Sequence, residues 1–105
     1  MTTINVGEYG IALSLGLFYN IANYTALGIA LVRPDLTTVD RATSFVTVGA
    51  TPLSTEFGTF AANEYGVYLI QPGDLSMSGT YIARLTYTDA NKRLVSDPAA
   101  FVVSP

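Results

Sequence analysis

Eight carboxylates are the residues of this sequence best suited to acid–base or metal chemistry, because it contains neither histidine nor cysteine. They are Glu8, Asp35, Asp40, Glu56, Glu64, Asp74, Asp89 and Asp97. A Ser-His-Asp triad, a Cys-His pair and an ordinary zinc site are excluded by composition. The carboxylates show neither the convergent pair of a glycosidase nor a clustered calcium loop, and most of them flank apparent turns. We therefore predict no catalytic residue, no metal and no cofactor.

Basic residues are few and scattered, and the net charge is −3. They are Arg33, Arg41, Arg84, Lys92 and Arg93. A nucleic-acid-binding surface needs a concentrated positive footprint, which this pattern lacks. The absence of cysteine also means that no disulfide supports the fold. We expect no nucleic acid among the partners.

The stretch from Tyr9 to Val32 carries no charge and is long enough to cross a bilayer as a helix. Asn20 and Asn23 interrupt it, however, and its apolar residues alternate instead of running continuously. The opening "MTTINVGEYG" also lacks the basic start of a secretory signal. We expect strands here, and no membrane role.

Alternation with a period of two recurs along the chain and predicts strands with one face on a core. The residues expected to face that core are Leu13, Leu15, Leu17, Leu27, Ile29, Leu31, Tyr81, Ala83, Leu85, Phe101 and Val103. A fifth run, "NEYGVYLIQPG", places Tyr65, Val67 and Leu69 on one face. The third run is expected around Thr43 to Val48.

Seven such runs, separated by turns at roughly ten-residue spacing, predict a single all-β domain over residues 1–105, an antiparallel sandwich of about seven strands. The fourth run, "STEFGTFAA", is the weakest. Pro34 ends the second strand and begins a turn, "RPDLTT". Pro98 lies inside the last run, which indicates an edge position or a bulge.

The segment "GTYIARLTYT" begins directly after a turn at Asp74. Gly79 allows the chain to turn sharply into the strand. Tyr81 then occupies the place of the tyrosine corner in immunoglobulin-like sandwiches, where the hydroxyl bonds backbone upstream. The simpler interpretation is a buried aromatic residue without that bond.

Several motifs in this chain resemble those of a phage protein family. They are Gly7-Glu8-Tyr9, Arg33-Pro34-Asp35, Gly73-Asp74-Leu75 followed by Gly79 and Tyr81, and Ser96-Asp97 followed by Phe101 and Val103. Together they are similar to the immunoglobulin-like N-terminal domain of phage upper baseplate proteins. The turn at Arg33 lacks the family's glycine, and residues 49–62 match poorly.

The resemblance implies a bacteriophage virion structural protein without enzymatic activity, made in the bacterial cytoplasm and incorporated in the particle. A head decoration or cement protein is the expected role. A neck, tail or baseplate component is the alternative. Its partners would be other virion proteins, and copies of itself in a symmetric assembly.

Only 12% of the residues are charged, which is low for the surface of a free monomer. Small uncharged residues occupy the expected outer faces of the first two strands: Ala12, Ser14, Gly16, Ala26, Gly28 and Ala30. One interpretation is a flat face that packs against another subunit. The other is that loops of the same domain cover these faces.

A second class of function is a carbohydrate- or host-surface-binding module, which needs an exposed aromatic platform. The candidates for it are Tyr19, Tyr24, Tyr65 and Tyr68.

Overall fold

The computed structural model describes residues 4–55 and 58–105, so Glu56 and the middle of the fourth predicted run lie outside the described residues. The described part is all-β, with a single 3-10 turn at Thr43–Phe45. Its strands are β1 (Ile4–Asn5), β2 (Ala12–Gly16), β3 (Ala26–Val32), β4 (Thr38–Arg41), β5 (Val46–Val48), β6 (Leu53–Thr55), β7 (Gly58–Phe60), β8 (Tyr65–Leu69), β9 (Gly79–Thr88), β10 (Arg93–Val95) and β11 (Ala99–Ser104).

The strands form two larger sheets and one hairpin. The first sheet has the order β1-β11-β9-β3-β4, with β10 also paired to β9, and the second has the order β2-β8-β5. Strands β6 and β7 form the separate hairpin. β1 runs parallel to β11, whereas the other pairs are antiparallel. The architecture thus differs from the prediction of seven antiparallel strands, with eleven described strands and a mixed first sheet.

Short strands account for most of this difference in number. β4 begins at the last residue of the expected turn "RPDLTT", and no strand was predicted there, because Val39 is its single buried apolar residue between polar neighbours and gives no alternating pattern. The predicted strand from Thr43 to Val48 begins with the 3-10 turn, and only Val46–Val48 is extended. A two-residue strand such as β1 is too short for any periodic pattern to reveal it.

The hydrophobic core lies between the two larger sheets, since buried residues from both form one cluster. The residues predicted to face the core are all buried except Leu17, which follows the end of β2 and is half-buried against the cluster. In β9, Tyr81, Ala83, Leu85 and Tyr87 are buried in strict alternation. The assignment of the inner face of this central strand is confirmed.

The sequence placed Tyr65, Val67 and Leu69 on one face of β8. The opposite face of this strand packs on the core. Tyr68, and Ile70 just beyond the strand, belong to the core cluster, whereas Leu69 is 51% exposed. Tyr65 lies on the outer face but is buried there, because Phe60 of β7 stacks on it at 5.5 Å. Its hydroxyl donates to the Thr51 carbonyl at 2.7 Å.

The last predicted strand is interrupted by a bulge at Pro98. Val95 pairs with Thr86 and Ala99 with Ala83, so three residues of one strand oppose two of β9. The buried Ser96 bridges the interruption, since its Oγ accepts from Leu85 N at 2.8 Å and its own N–H donates to the Leu85 carbonyl. Of the two possibilities that Pro98 indicated, an edge position or a bulge, the structure has the bulge.

The uncharged stretch from Tyr9 to Val32 contains β2 and β3, one strand in each larger sheet. In the described ranges, no helix has the length and apolar character needed to cross a bilayer.

Candidate functional site

Tyr81 forms the tyrosine corner that its position predicted. Its hydroxyl donates to the Met77 carbonyl at 2.7 Å and accepts from Met77 N at 3.2 Å. The ring is fully buried and stacks on Phe101 at 5.5 Å. One side chain therefore satisfies the backbone of the preceding loop and fills the end of the core.

Gly79 contacts the turn that contains Pro34, although 45 positions separate them in the chain. Its φ of +130° is one that side-chain-bearing residues rarely adopt. A Cβ at this position would lie 2.7 Å from Cγ of Pro34. Glycine is therefore required here both for backbone conformation and for close packing.

Asp74 lies in a buried polar cluster that the sequence did not reveal. Arg41 donates from Nη2 to Asp74 Oδ1 at 2.7 Å, and the Tyr68 hydroxyl donates to Oδ2. Gln71 N also donates to Oδ2 at 2.9 Å, so the turn bond expected of this aspartate is present as well. The Asp74 side chain is only 1% exposed, and Arg41 and Tyr68 supply its two side-chain partners.

Hydrogen bonding and burial in this cluster raise the pKa values of Arg41 and Tyr68. The hydrogen bond to Asp74 raises the pKa of Arg41, so the guanidinium stays protonated. Burial, followed by the bond to Asp74, raises the pKa of Tyr68. A neutral phenol and a permanent cation satisfy the hydrogen bonds of the buried carboxylate, and removing either partner would leave it uncompensated. Nothing in this geometry activates a nucleophile.

Arg33 binds the same loop from the other side. Its Nε donates to the Asp74 carbonyl and its Nη2 to the Gly73 carbonyl, both at 3.1 Å. The Arg33-Pro34-Asp35 turn and the segment from Gly73 to Tyr81 therefore form one contact region. These are two of the motifs that carry the resemblance to phage proteins.

Asp35 and Asp89 each accept hydrogen bonds from residues close to them in their own turns. Asp35 accepts from the Thr37 hydroxyl at 2.6 Å, which lowers the pKa of Asp35. Asp89 accepts from the Tyr87 hydroxyl at 2.6 Å and from the amides of Asn91 and Lys92. The bond from Tyr87 lowers the pKa of Asp89 and raises that of Tyr87 to about 12. No group of three potential metal ligands occurs within residues 4–55 and 58–105.

The predicted aromatic platform is not continuous. Tyr65 and Tyr68 are buried, so they cannot stack on a sugar. Tyr19 and Tyr24 are each 37% exposed, but the Lys92 ammonium lies 4.6 Å from the centroid of the Tyr19 ring. One face of Tyr19 therefore already has a cationic partner, which makes Tyr24 the better candidate at equal exposure.

The predicted small-residue interface is divided between two sheets. Ala12, Ser14 and Gly16 belong to β2, whereas Ala26, Gly28 and Ala30 belong to β3. Because the inner faces of both strands meet the same core, the two sets point to opposite sides of the molecule. The prediction of one flat face is corrected, since β2 and β3 are consecutive in sequence but not paired.

Part of the β2 set is covered within the domain. Ser14 is buried, and a Cβ at Gly16 would lie 2.2 Å from the Phe60 ring. The β3 set stays more open: Ala26 is exposed, and Ala30 is half-buried between its cross-strand neighbours Asp40 and Arg84. Only the β3 half remains a candidate surface.

Two further surfaces combine exposed apolar side chains with concave shape. A groove of about 520 Å³ opens between the end of β2 and the bulge at residues 95–100. A shallower depression of about 470 Å³ lies on the outer face of β5 and β8, where Phe45 and Leu69 are exposed. Neither surface was expected from the sequence, because each combines residues from distant segments.

Comparison with known proteins finds no matching family model, no similar curated protein and no similar solved structure.

Proposed function

We propose that this chain is a non-enzymatic structural protein of a tailed-phage particle, acting as a head decoration or cement protein on an immunoglobulin-like β-sandwich. It is made in the bacterial cytoplasm and functions in the virion. Its partners are other virion proteins and copies of itself in a symmetric assembly. A place in the neck, tail or baseplate is the alternative within the same class.

The strand order supports the immunoglobulin-like assignment. Strands β11-β9-β3-β4 correspond to G-F-C-C′ of a variable-type domain, and β2-β8-β5 correspond to B-E-D. The tyrosine corner of Tyr81 lies at the start of β9, the F-strand equivalent, as in those domains. The extra hairpin β6–β7 lies between the equivalents of D and E.

One observation carries the structural role: two of the motifs that resemble phage proteins contact each other. Arg33 binds the loop at Gly73 and Asp74, and Pro34 packs on Gly79. Every contact of these residues described above is packing, an ion pair or a hydrogen bond. The residues that carry the resemblance therefore stabilise the fold of the domain, as expected for a structural module.

The first test is to find the chain in the particle. Phage encoding it would be purified, their proteins identified by mass spectrometry, and the chain located with gold-labelled antibody. We expect it in the virion, with label over the head. Label on the neck or tail would favour the alternative place, and absence from purified particles would contradict a virion role.

The β3 surface provides a variant for the same particles. Ala30→Glu places a charge on the outer face and should reduce incorporation without unfolding the domain. Apolar contacts resist salt whereas charged pairs are screened, so wild-type incorporation should persist at high salt. Ala22→Glu, at an exposed turn position, is the matched control. Normal incorporation of Ala30→Glu would exclude this surface.

The carbohydrate-binding alternative is tested with the isolated chain. Glycan binding that is lost in Tyr24→Ala, together with absence from particles, would replace the proposal.

A further inference from the structure

The groove beside β2 lies at an open sheet edge. Its walls are Leu15–Phe18 on one side and Val95–Ala100 on the other, with Phe60 at one end. β2 is the outermost strand of the second sheet and pairs only with β8 among the described strands. The free side of this strand faces the groove.

The hydrogen-bonding pattern identifies which backbone groups are available. Leu17 N donates to the Glu64 carbonyl at 3.0 Å, so Leu17 directs its backbone toward the β8 side. Phe18 lies beyond the end of β2 with a φ of +54°, so the alternation does not reach it. Gly16, within β2, directs its backbone groups to the opposite side, because backbone direction alternates in an antiparallel pair. No partner for these groups occurs in the part of the chain that the structure describes. An edge of this kind is a template for another strand.

This edge lacks the usual protection against strand pairing. Natural edge strands carry charges, proline or inward-pointing polar groups. The opposite edge of the first sheet, β4, has Asp40 and Arg41. By contrast, no charged residue or proline occurs from Tyr9 to Val32, which includes all of β2. The open end of β2 is therefore chemically suited to pairing.

The side chains around the groove define what would fit. Leu17 is half-buried beside the groove, above Leu15 in the core, and Phe18 is 73% exposed, 6.4 Å from the Phe60 ring. Asp97 is the single ionisable residue among those that line it. These residues thus favour a ligand that places apolar side chains in the groove and one positive charge near Asp97.

We propose that this groove binds an extended segment of another polypeptide, which adds to β2 as a further strand. Apolar side chains of that segment contact Leu17 and Phe18, and a lysine or arginine faces Asp97. At about 3.3 Å per residue, four to six residues span this part of the edge. Main-chain bonds supply affinity and the alternate side chains supply specificity. The inference rests on the proposed role in protein assembly, for which it specifies the partner's chemistry.

The probe is a library of octapeptides in which Val, Ile or Leu alternates with Ser or Thr, with one Lys or Arg at varied positions. The library is selected against the purified full chain, and the affinity of the best peptide is measured by calorimetry. We expect one register of the basic residue to be selected. Asp97→Lys should weaken binding by about five- to tenfold, and a peptide with Glu in place of its basic residue should restore it.

Backbone methylation of the selected peptide distinguishes strand addition from simple apolar contact. N-methylation of the amides on one edge of the peptide should weaken binding by about tenfold or more, and methylation of the other edge should leave it unchanged. This comparison uses wild-type protein, so it is independent of any folding defect in a variant. Leu69→Lys, on the outer face of β8, should bind as wild type.

Failure to select any peptide, equal binding to Asp97→Lys, or equal effects of methylation on both edges would overturn the inference. These results concern the isolated chain, so they are separate from the particle experiments. A chain found in virions that binds no peptide would contradict only the groove assignment. A peptide-binding chain absent from virions would contradict only the virion role.

Discussion

Asp74 and Tyr81 both stabilise the loop between β8 and β9, each through hydrogen bonds to its backbone. Asp74 accepts bonds from Arg41, Tyr68 and the amide of Gln71, whereas Tyr81 bonds the backbone of Met77. Each fills a buried volume and satisfies polar groups that would otherwise lack partners. In such sites the cost of a substitution lies mainly in the buried group that it leaves unpaired.

Replacing Tyr81 with phenylalanine isolates the hydroxyl of the tyrosine corner. The ring and its stacking on Phe101 remain, but the Met77 carbonyl loses its partner. We expect the free energy of unfolding to fall by about 1–3 kcal/mol in urea denaturation. Tyr24→Phe, which removes a hydroxyl from a partly exposed ring, is the control and should change stability by less than about 0.5 kcal/mol. Equal effects of the two variants would contradict the role of the corner.

At the scale of elements, β9 is the strand on which the first sheet depends. It pairs with β3 on one side and with β10 and β11 on the other, so both of its edges are hydrogen-bonded. The bulge at Pro98 changes the register between the two halves of the neighbouring strand, and Ser96 restores the bonds lost there. Because side chains alternate between the two faces of β9, a register shift of one residue would remove its buried side chains from the core.

Two Leu→Ala substitutions compare the inner face of β9 with the outer face of β8. Leu85 is fully buried, and Leu85→Ala should reduce the free energy of unfolding by about 2–5 kcal/mol because it leaves a cavity. Leu69 is half-exposed, and Leu69→Ala should cost less than about 1 kcal/mol. Thermal and urea melts measure both. A small loss at Leu85 with a large one at Leu69 would mean that the faces are reversed.

At the scale of the whole molecule, several of the sparse charges stabilise turns and loops of the fold. The partly exposed Arg41 pairs with the buried Asp74, Arg33 binds loop carbonyls, and Asp35 and Asp89 hold turns. The residues of β2 and β3 themselves carry no charge, although Asp40 and Arg84 flank Ala30 on the β3 face. This distribution is consistent with a domain whose surfaces are covered in an assembly.

The turn aspartates predict how stability depends on pH. The pKa values of Asp35 and Asp89 lie below the usual 3.8 in the folded state. A depressed folded pKa stabilises the protein above the unfolded value, and this contribution is lost as pH falls through the folded pKa. The melting temperature should therefore decrease below about pH 4.

The double variant Asp35→Asn/Asp89→Asn tests this assignment. It should melt below wild type at pH 7, and the difference should narrow as the pH falls below 4, measured by scanning fluorimetry. An unchanged difference from pH 7 to pH 3 would show that neither carboxylate contributes through its charge.

The sequence by itself determined the properties that depend on near neighbours. Period-two alternation placed Leu13, Leu27 and Leu85 on the core, because successive side chains of a strand point to opposite faces. Pro98 indicated an edge position or a bulge, because proline has no N–H to donate within a sheet. The Gly-x-Tyr pattern indicated a tyrosine corner at Tyr81. Each of these signals lies within a few residues of the feature that it predicts.

The tertiary structure alone decided the properties that depend on strand partners. Only the sheet order shows that β2 and β3 belong to different sheets, which divides the predicted small-residue face. The partners Arg41 and Asp74 are 33 positions apart, and no local pattern marks either for burial. The groove likewise exists only because the bulge at residues 95–100 lies beside the free edge of β2. Such contacts join residues that are far apart in the sequence, across long loops. The local periodicity of the sequence does not encode which distant segments meet.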